Sequence, residues 1–505
     1  MESRADIKRR TDIALVALAS LGMLWFGGRF LAASFAALTY PFPIHWTEGG
    51  VLQTILRVLE GKHVYTIPTV DYVPFIYTPL YYYVAAAATR VTDALLPTAR
   101  LISIASLLGT GALMALWLRG RGLHWACAIA GAGFFFASYP LSGRWYDIAK
   151  PDSFGMLLTM AGMLALHQWR GLRSAIAAGV LFAAAVYAKQ PMAIAVAPVL
   201  LIALFYDFKR AFVAGAVLGV LGLSALALLE WSSGGWFLFY IFDLPQGHSQ
   251  NITFYKRFWH GDLFYPLPMA CVLTVAYAIY TLVRRRRADV EALVFIAALI
   301  GTAFASRLHS YGWINVLMPA HAALALAVPL AAMRLADMPW KNVWLMKGSQ
   351  VVAMLIILTQ FVQMQGFGWR PFPTLNDARR NTAFMKYVSK FDGEVLIPDY
   401  CFPGHEHPRV LCYECAGYDV VRARLPEDKQ EGRKAFMDSI ADGIAKKRFS
   451  ALFISDRSLR FGGKGFRELD RHYDRLETLP YERIYRPYMD GVLRELHVYV
   501  PKKAP

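Results

Sequence analysis

The 505-residue chain is 56% hydrophobic and only 18% charged, with 14% aromatic residues and a mean hydropathy of +0.35. Apolar runs of roughly 18 or more residues recur, each able to cross about 30 Å of hydrocarbon, which excludes a water-soluble globular protein and predicts a polytopic membrane one. Much of the net charge of +17 lies in short loops between these runs, where Lys and Arg set orientation, so no nucleic-acid partner is expected.

The run from Thr11 to Leu38 follows four basic residues within Met1 to Arg10 and lacks a small-residue cleavage site close behind a short core. It predicts an uncleaved first span with the amino terminus inside. Residues 39–100 then form an outer loop expected to carry interfacial helices, with His45-Trp46-Thr47-Glu48-Gly49-Gly50 near its start. Glu48 is the one carboxylate of this stretch at the membrane edge, and the two glycines behind it let backbone or ligand come close. The run from Tyr77 to Leu96 is broken by Arg90 and Asp93. Placing Arg119-Gly120-Arg121 in the cytoplasm requires that run to return to the side it left, so it is expected to be interfacial or re-entrant.

Further spans are expected at 101–118, 124–140, 153–169, 174–188, 192–206, 211–229, 265–283, 290–306, 314–333 and 351–365. Their sense alternates, and Arg284-Arg285-Arg286-Arg287 is the strongest inside marker. The expected fold class is thus mainly α, with about eleven transmembrane helices over residues 1–365 and the carboxy terminus outside. From Gly366 onward charged residues become frequent and apolar runs shorten to strand length at 394–398 and 451–455, around an amphipathic helix at 434–445. Residues 366–505 are expected to form a small extracytoplasmic α/β domain.

Three of the five cysteines, Cys401, Cys412 and Cys415, fall in that tail, with His405 and His407 between them. An outer compartment favours one disulfide and one free thiol; a zinc site is the alternative, because Cys412 and Cys415 have ligand spacing. Cys127 and Cys271 lie in spans and read as core residues.

Topology places Glu48, Asp147, Asp152, Lys189, Gln190, Glu230, Arg307, His309 and Tyr311 on the outer face at one depth. Each alone could be a solvated interfacial residue; together they describe a polar cavity or substrate path. A carboxylate there can take a proton from an acceptor or orient a divalent cation that does so. Lys189, flanked by Gln190 and helped by Arg307, His309 and Tyr311, can hold a phosphate and stabilise it as a leaving group. Tyr77, Tyr81, Tyr82, Trp145 and Tyr146 offer flat faces to sugar rings or isoprenoid chains. Carboxylate, phosphate clamp and aromatic shelf at a membrane edge suit sugar transfer from a lipid phosphate.

The chain resembles the GT-C superfamily of integral membrane glycosyltransferases, in the branch of lipid A aminoarabinose transferases and protein O-mannosyltransferases. The resemblance is carried by Thr47-Glu48-Gly49, by Leu59-Glu60-Gly61-Lys62-His63-Val64-Tyr65, and by Tyr77-Thr78-Pro79-Leu80-Tyr81-Tyr82-Tyr83. Lys150-Pro151-Asp152-Ser153, Ala188-Lys189-Gln190 and the stretch Tyr311 to Pro319 extend it over roughly the first 330 residues. It implies a polyprenyl-phosphate sugar donor and transfer of one sugar, with inversion, to a glycolipid, polysaccharide or protein acceptor on the outer face of a bacterial inner membrane. It also implies Glu48 as base or acceptor-orienting group, Asp152 as second acid that helps position donor or acceptor, with Asp147 as its understudy, and Lys189 as the phosphate ligand. Two departures bear on donor and metal use: Glu48 stands alone where relatives often carry Asp or paired acids, and Tyr77-Thr78-Pro79 stands where aminoarabinose transferases carry Lys-Pro-Pro. Competing readings are a secondary transporter, which should show internal repeats that this chain lacks, and a non-catalytic envelope assembly protein of the same fold.

Overall fold

The computed structural model describes residues 4–309, 312–336, 343–366, 373–401, 409–484 and 495–503. Helix α1 (Arg4–Thr39) leads through a turn to two shorter helices, α2 (Glu48–Leu59) and α3 (Leu80–Thr92). There follow α4 (Leu95–Gly120), α5 (Trp125–Ala137), α6 (Pro151–His167), α7 (Leu172–Ala188), α8 (Met192–Tyr206) and α9 (Phe208–Ser233). The short α10 (Ile252–Arg257) runs on into a π-helical stretch, and α11 (Pro268–Arg284), α12 (Arg287–Arg307), α13 (Met318–Ala336) and α14 (Val343–Gln365) complete the bundle.

A helix therefore stands at each expected span, but they are not all alike. Among the described residues, six are long and apolar enough to cross a membrane, or seven if the helix pair bent by 101° between Phe264 and Pro268 counts as one. Pro266 and Pro268 supply that corner, because proline removes backbone donors and clashes with a continuing helix. Helices of 15 to 17 residues such as α6, α7 and α8 reach only about 23–26 Å at 1.5 Å per residue. Helix α3, with 13 residues, reaches about 20 Å, too little to span.

Burial separates the bundle's centre from its lipid face. The most apolar window of α9 is 6% buried, whereas that of the segment containing α13 is 83% buried. An apolar helix left largely uncovered by protein faces hydrocarbon, while α13 packs through small residues such as Ala320, Ala323 and Ala327 that let neighbouring helices approach. The added Cβ of an alanine at Gly131 would lie 2.9 Å from the Ala325 carbonyl, so the α5–α13 crossing requires glycine there.

The C-terminal region forms a five-stranded sheet in the order β2-β1-β3-β5-β4. Its strands are β1 (Glu394–Leu396), β2 (Val410–Leu411), β3 (Phe449–Ile454), β4 (Tyr473–Leu479) and β5 (Leu496–Pro501). β1 runs parallel to β2 and β3, and β5 pairs antiparallel with β3 and β4. Helices α15 (Leu375–Val388), α16 (Glu414–Arg422), α17 (Glu431–Ala445) and α18 (Asp456–Gly462) pack around it. Two of these strands and α17 are legible in the sequence; β2 is too short and β4 too polar to announce itself, and β5 is passed over although it is mostly apolar. Strand β3 is buried on both faces, as central strands with a parallel neighbour are. Phe449, Leu452 and Ile454 pack in one cluster with α2, α3 and Tyr240, while Ala451 and Phe453 pack in another with Tyr40, Phe42, Ile44 and Trp145. The sheet thus shares both of its cores with the loop that follows α1, which ties the two halves of the chain at one end of the bundle.

Candidate active site

Glu48 begins α2 and is wholly buried. Its Oε1 accepts from Arg100 Nε (2.9 Å) and the Ala149 backbone N–H (2.8 Å), and its Oε2 from Arg100 Nη2 (2.8 Å), Ile44 N–H (2.7 Å) and His45 N–H (3.3 Å). Arg100 spends its remaining donors on the Ala37, Tyr40 and Phe42 carbonyls at the end of α1. Burial alone would raise the Glu48 carboxyl, but Arg100 and the backbone donors more than offset it and hold the group below its ordinary value. Expected to be the base or to orient the acceptor, Glu48 instead has every acceptor position filled. It joins α1, α2, α4 and the turn before α6, and in this geometry has no lone pair to offer a substrate.

The groups left for chemistry lie beside it. Pro151 is the first residue of α6, where its missing N–H costs nothing, so Lys150 is held extended at the N-cap and Asp152 in the first turn. Lys189 caps α7 in an extended conformation just before Pro191 leads into α8, which puts a cation at a helix C-terminus. Lys189 Nζ and Asn315 Nδ2 (2.7 Å) both donate to Asp152 Oδ1, while Asp152 Oδ2 is buried with no partner. Lys150 is 2% exposed, and no carboxylate lies within ion-pair distance of it among the described residues. Its Nζ donates to Tyr77 Oη (3.1 Å) and sits 4.8 Å from the Tyr77 ring and 4.5 Å from the Trp145 ring. Lys189 Nζ lies 5.8 Å from the same Tyr77 ring. Burial pulls the Lys150 ammonium below its ordinary value. The His45 ring, 4.0 Å from that of Trp145, is held neutral by burial and then by Lys150.

The C-terminal region closes this cluster. Glu414, the first residue of α16, adopts a left-handed φ of 40°, a strained conformation for a residue with a Cβ. Its carboxylate accepts from Gly50 N–H (3.3 Å) and Cys401 N–H (2.9 Å), and burial pushes its pKa up to about 8. Asp419, one turn further along α16, is also buried and faces His248, with Oδ1 3.9 Å from Nε2.

Several other expected residues are engaged elsewhere. Asp147 accepts from Tyr139 Oη (2.7 Å) and Ser34 Oγ (3.5 Å), turned into the helical core, with its pKa pushed up to about 6 by burial. Tyr81 donates to the Ala99 carbonyl (2.8 Å), and Tyr146 bonds Ser138 (3.0 Å) and His321 (3.0 Å) while stacking on Phe135. Neither presents a ring face, because each hydroxyl fastens its ring between helices. Tyr82 is buried in the junction core with its hydroxyl unpartnered. Gln190 donates to the Ile76 carbonyl (2.6 Å), which pins the Tyr77 loop to the α7–α8 corner. Arg307 bonds Asp262 (2.7 Å) and the Gly312 carbonyl and covers Phe254, so it braces the α10 corner. His309 bridges to Gln250, with its ring 6.4 Å from that of His248, at the margin of the cluster. Glu230 accepts from the Leu238 N–H (2.8 Å) and caps the turn after α9. Tyr311, His405 and His407 lie outside the described residues.

The cysteines are all thiols here, and Cys412 Sγ accepts from Gln53 Nε2 (2.9 Å). Among the described residues no group of three or more His, Cys, Asp or Glu side chains is arranged to hold a metal ion. Glu48 and Asp152, the carboxylates a divalent cation would need, are paired with Arg100 and Lys189, so the donor set does not suit one.

The sequence reading passes over Lys150, Asn315, Arg100, Glu414 and Asp419. Lys150 stands in the Lys-Pro-Asp motif already noted for its acid, and its signal is the proline that aims it. Arg100 and Asn315 look like ordinary residues at span ends, and nothing linear brings Glu414 or Asp419 to the membrane part.

No protein-family model matches the chain and no curated protein matches it in sequence. Solved structures do. ArnT from Cupriavidus metallidurans bound to undecaprenyl phosphate superimposes with a TM-score of 0.56 at 14% identity, over 94% of this chain and 97% of that one. The Archaeoglobus fulgidus oligosaccharyltransferase tethered to an acceptor peptide gives 0.52 at 10% identity, over 92% of this chain and 72% of that one. The arabinofuranosyltransferase AftD from Mycobacteria gives 0.50 at 13% identity, over 95% of this chain and 40% of that one. At these identities the likeness is one of fold alone, and that fold is the architecture the sequence resemblance implies.

Proposed function

We propose that this protein is a membrane glycosyltransferase that takes one sugar from a polyprenyl phosphate and passes it to an acceptor on the outer face of the membrane, with inversion at the anomeric carbon. The observation that carries the reading is Lys150: a buried ammonium with two aromatic walls and, among the described residues, no carboxylate within ion-pair distance. Burying an uncompensated charge is costly, and a protein retains one where an anion will come to it. Lys189 stands by at the same Tyr77 shelf, so that two cations can share a phosphate as negative charge develops on it. The open Oδ2 of Asp152 is an acceptor for a sugar or acceptor hydroxyl, and Trp145 and Tyr77 are the rings against which a sugar can stack. Glu48 and Arg100 form the rigid floor. All these groups are buried, so a donor reaches them only when the Tyr77 loop or α16 yields, and closure behind it excludes the water that would hydrolyse the donor.

The C-terminal region is then an outer domain over residues 366–505, and the arginine-rich corner between α11 and α12 faces the cytoplasm of a bacterial cell. A fold shared with a structure that holds undecaprenyl phosphate supports the donor class. The sugar, whether hexose or pentose, and the acceptor are set by pocket shape. The test is purified protein in lipid with a panel of polyprenyl-phosphate hexoses and pentoses plus envelope lipids, following release of polyprenyl phosphate. Consumption of one donor, lost in Lys150→Met, is the expected result. Failure of the wild type to bind or consume any donor overturns the reading.

A further inference from the structure

The reaction needs a group to take the acceptor's proton, and the buried carboxylates can be compared by what already occupies them. Glu48 accepts five hydrogen bonds, Asp147 two, and Glu414 two from backbone N–H groups. Asp152 is locked to Lys189 and Asn315, which stabilises its anion and weakens it as a base. Asp419 alone of this set has no hydrogen-bond donor to its side chain among the described residues; the His248 ring, held neutral by burial, lies 3.9 Å from its Oδ1. A carboxylate in a buried cluster that no donor occupies is open to an incoming proton, and such groups mark functional sites. Asp419 lies on α16 within electrostatic reach of Lys150, Tyr77 and Cys415. The strained start of that helix at Glu414 fixes its placement through Gly50, immediately after the Glu48 floor.

We propose that Asp419, supplied by the C-terminal α/β region, is the general base of the transfer, with His248 as the positioning residue beside it. This rests on the glycosyltransferase reading above. In the step, the acceptor oxygen forms a bond to the anomeric carbon as its proton passes to an Asp419 carboxylate oxygen. The bond between that carbon and the phosphate oxygen breaks, and its electron pair stays on the phosphate between Lys150 and Lys189. The C-terminal region is therefore part of the active site, and the site is incomplete without it.

Asp419 is faced by Arg422 on its own helix, Arg457 on α18, Lys150 before α6, His248 before α10 and the Cys415 thiol. Burial, partly offset by those arginines and Lys150, pushes its pKa up to about 7. The base must be unprotonated to act, so turnover should rise with pH through about 7 in the wild type.

The test measures polyprenyl-phosphate release and donor binding for wild type, Asp419→Asn, Asp419→Glu and Asp152→Asn, using the one donor of the panel that the wild type consumes. Asp419→Asn should lower turnover by about 100-fold or more with donor binding intact, and should lose the rise in activity near pH 7. Asp419→Glu should restore part of the rate. An Asp419→Asn enzyme that keeps its turnover and pH limb while the wild type works overturns this assignment alone, as does loss confined to Asp152→Asn. A wild type that consumes no donor overturns the glycosyltransferase reading and this inference with it.

Discussion

Replacing Glu48 by Gln separates the two roles open to that residue. The glutamate accepts five hydrogen bonds, two of them from Arg100. Glutamine of the same size offers one carbonyl oxygen, which accepts two comfortably, and its NH2 group would point donor to donor at Arg100 or at the backbone N–H groups. Two or three buried donors then lose their acceptor at about 1–3 kcal/mol each, and the Arg100 guanidinium is left buried without its counter-charge. Removing one partner of a buried ion pair costs about 3–5 kcal/mol, and the two ways of counting agree. Glu48→Gln should therefore lower the denaturation temperature in detergent by several degrees or prevent folding, as should Arg100→Lys, which cannot reproduce the five-donor fork. In the double variant Glu48→Leu/Arg100→Met, which removes both charges, the loss should be smaller than the sum of the single losses. Because the folded-state pKa of Glu48 is depressed, its contribution is present above the ordinary carboxyl value and is lost as the pH falls through the folded one. The reasoning is refuted if Glu48→Gln melts like the wild type while its turnover collapses, since that pattern belongs to a catalytic base and not to a structural ion pair.

Lys150→Met should weaken binding of polyprenyl phosphate by about 10- to 100-fold, the worth of a charge-assisted contact, while melting at or above the wild-type temperature because an unpaired buried charge is gone. Titration with inorganic and lipid-linked phosphate and a thermal melt check the two halves. Glu414, whose pKa is raised by burial, binds its proton more tightly in the folded state, so its contribution is whole below the unfolded value near 4.5 and is lost as the pH rises toward about 8. Thermal stability should decline across that window, and Glu414→Gln should flatten the decline; an unchanged slope in the variant would place the titration elsewhere. At Gly50 an added Cβ would overlap the Phe75 ring and crowd the Glu414 carboxylate, so Gly50→Ala should cost roughly 1–3 kcal/mol and loosen the C-terminal region, read out by protease sensitivity in the segment after Gln365.

Much of the architecture is legible along the chain. Apolar runs, Lys-Arg corners and the shift in composition near Gly366 locate eleven helices and a terminal α/β region, because hydrocarbon leaves the backbone few ways to satisfy its hydrogen bonds. The sequence also singles out Asp152, Lys189, Tyr77 and Trp145, which the structure brings to one place, since prolines 151 and 191 and the helix ends fix where those side chains start. What it could not decide is which ionisable groups are already spent. Glu48 looks like a lone acid beside two glycines until Arg100, fifty-two positions away, is seen to hold it. Tyr81 and Tyr146 look like binding rings until their hydroxyls are found bonded between helices. Asp419 resembles any acid on an amphipathic helix until the C-terminal sheet carries it to Lys150. Local patterning sets helices and their ends because those depend on neighbours a few residues apart. The charge state and freedom of a buried side chain depend on partners brought by tertiary packing, and these only the folded molecule supplies.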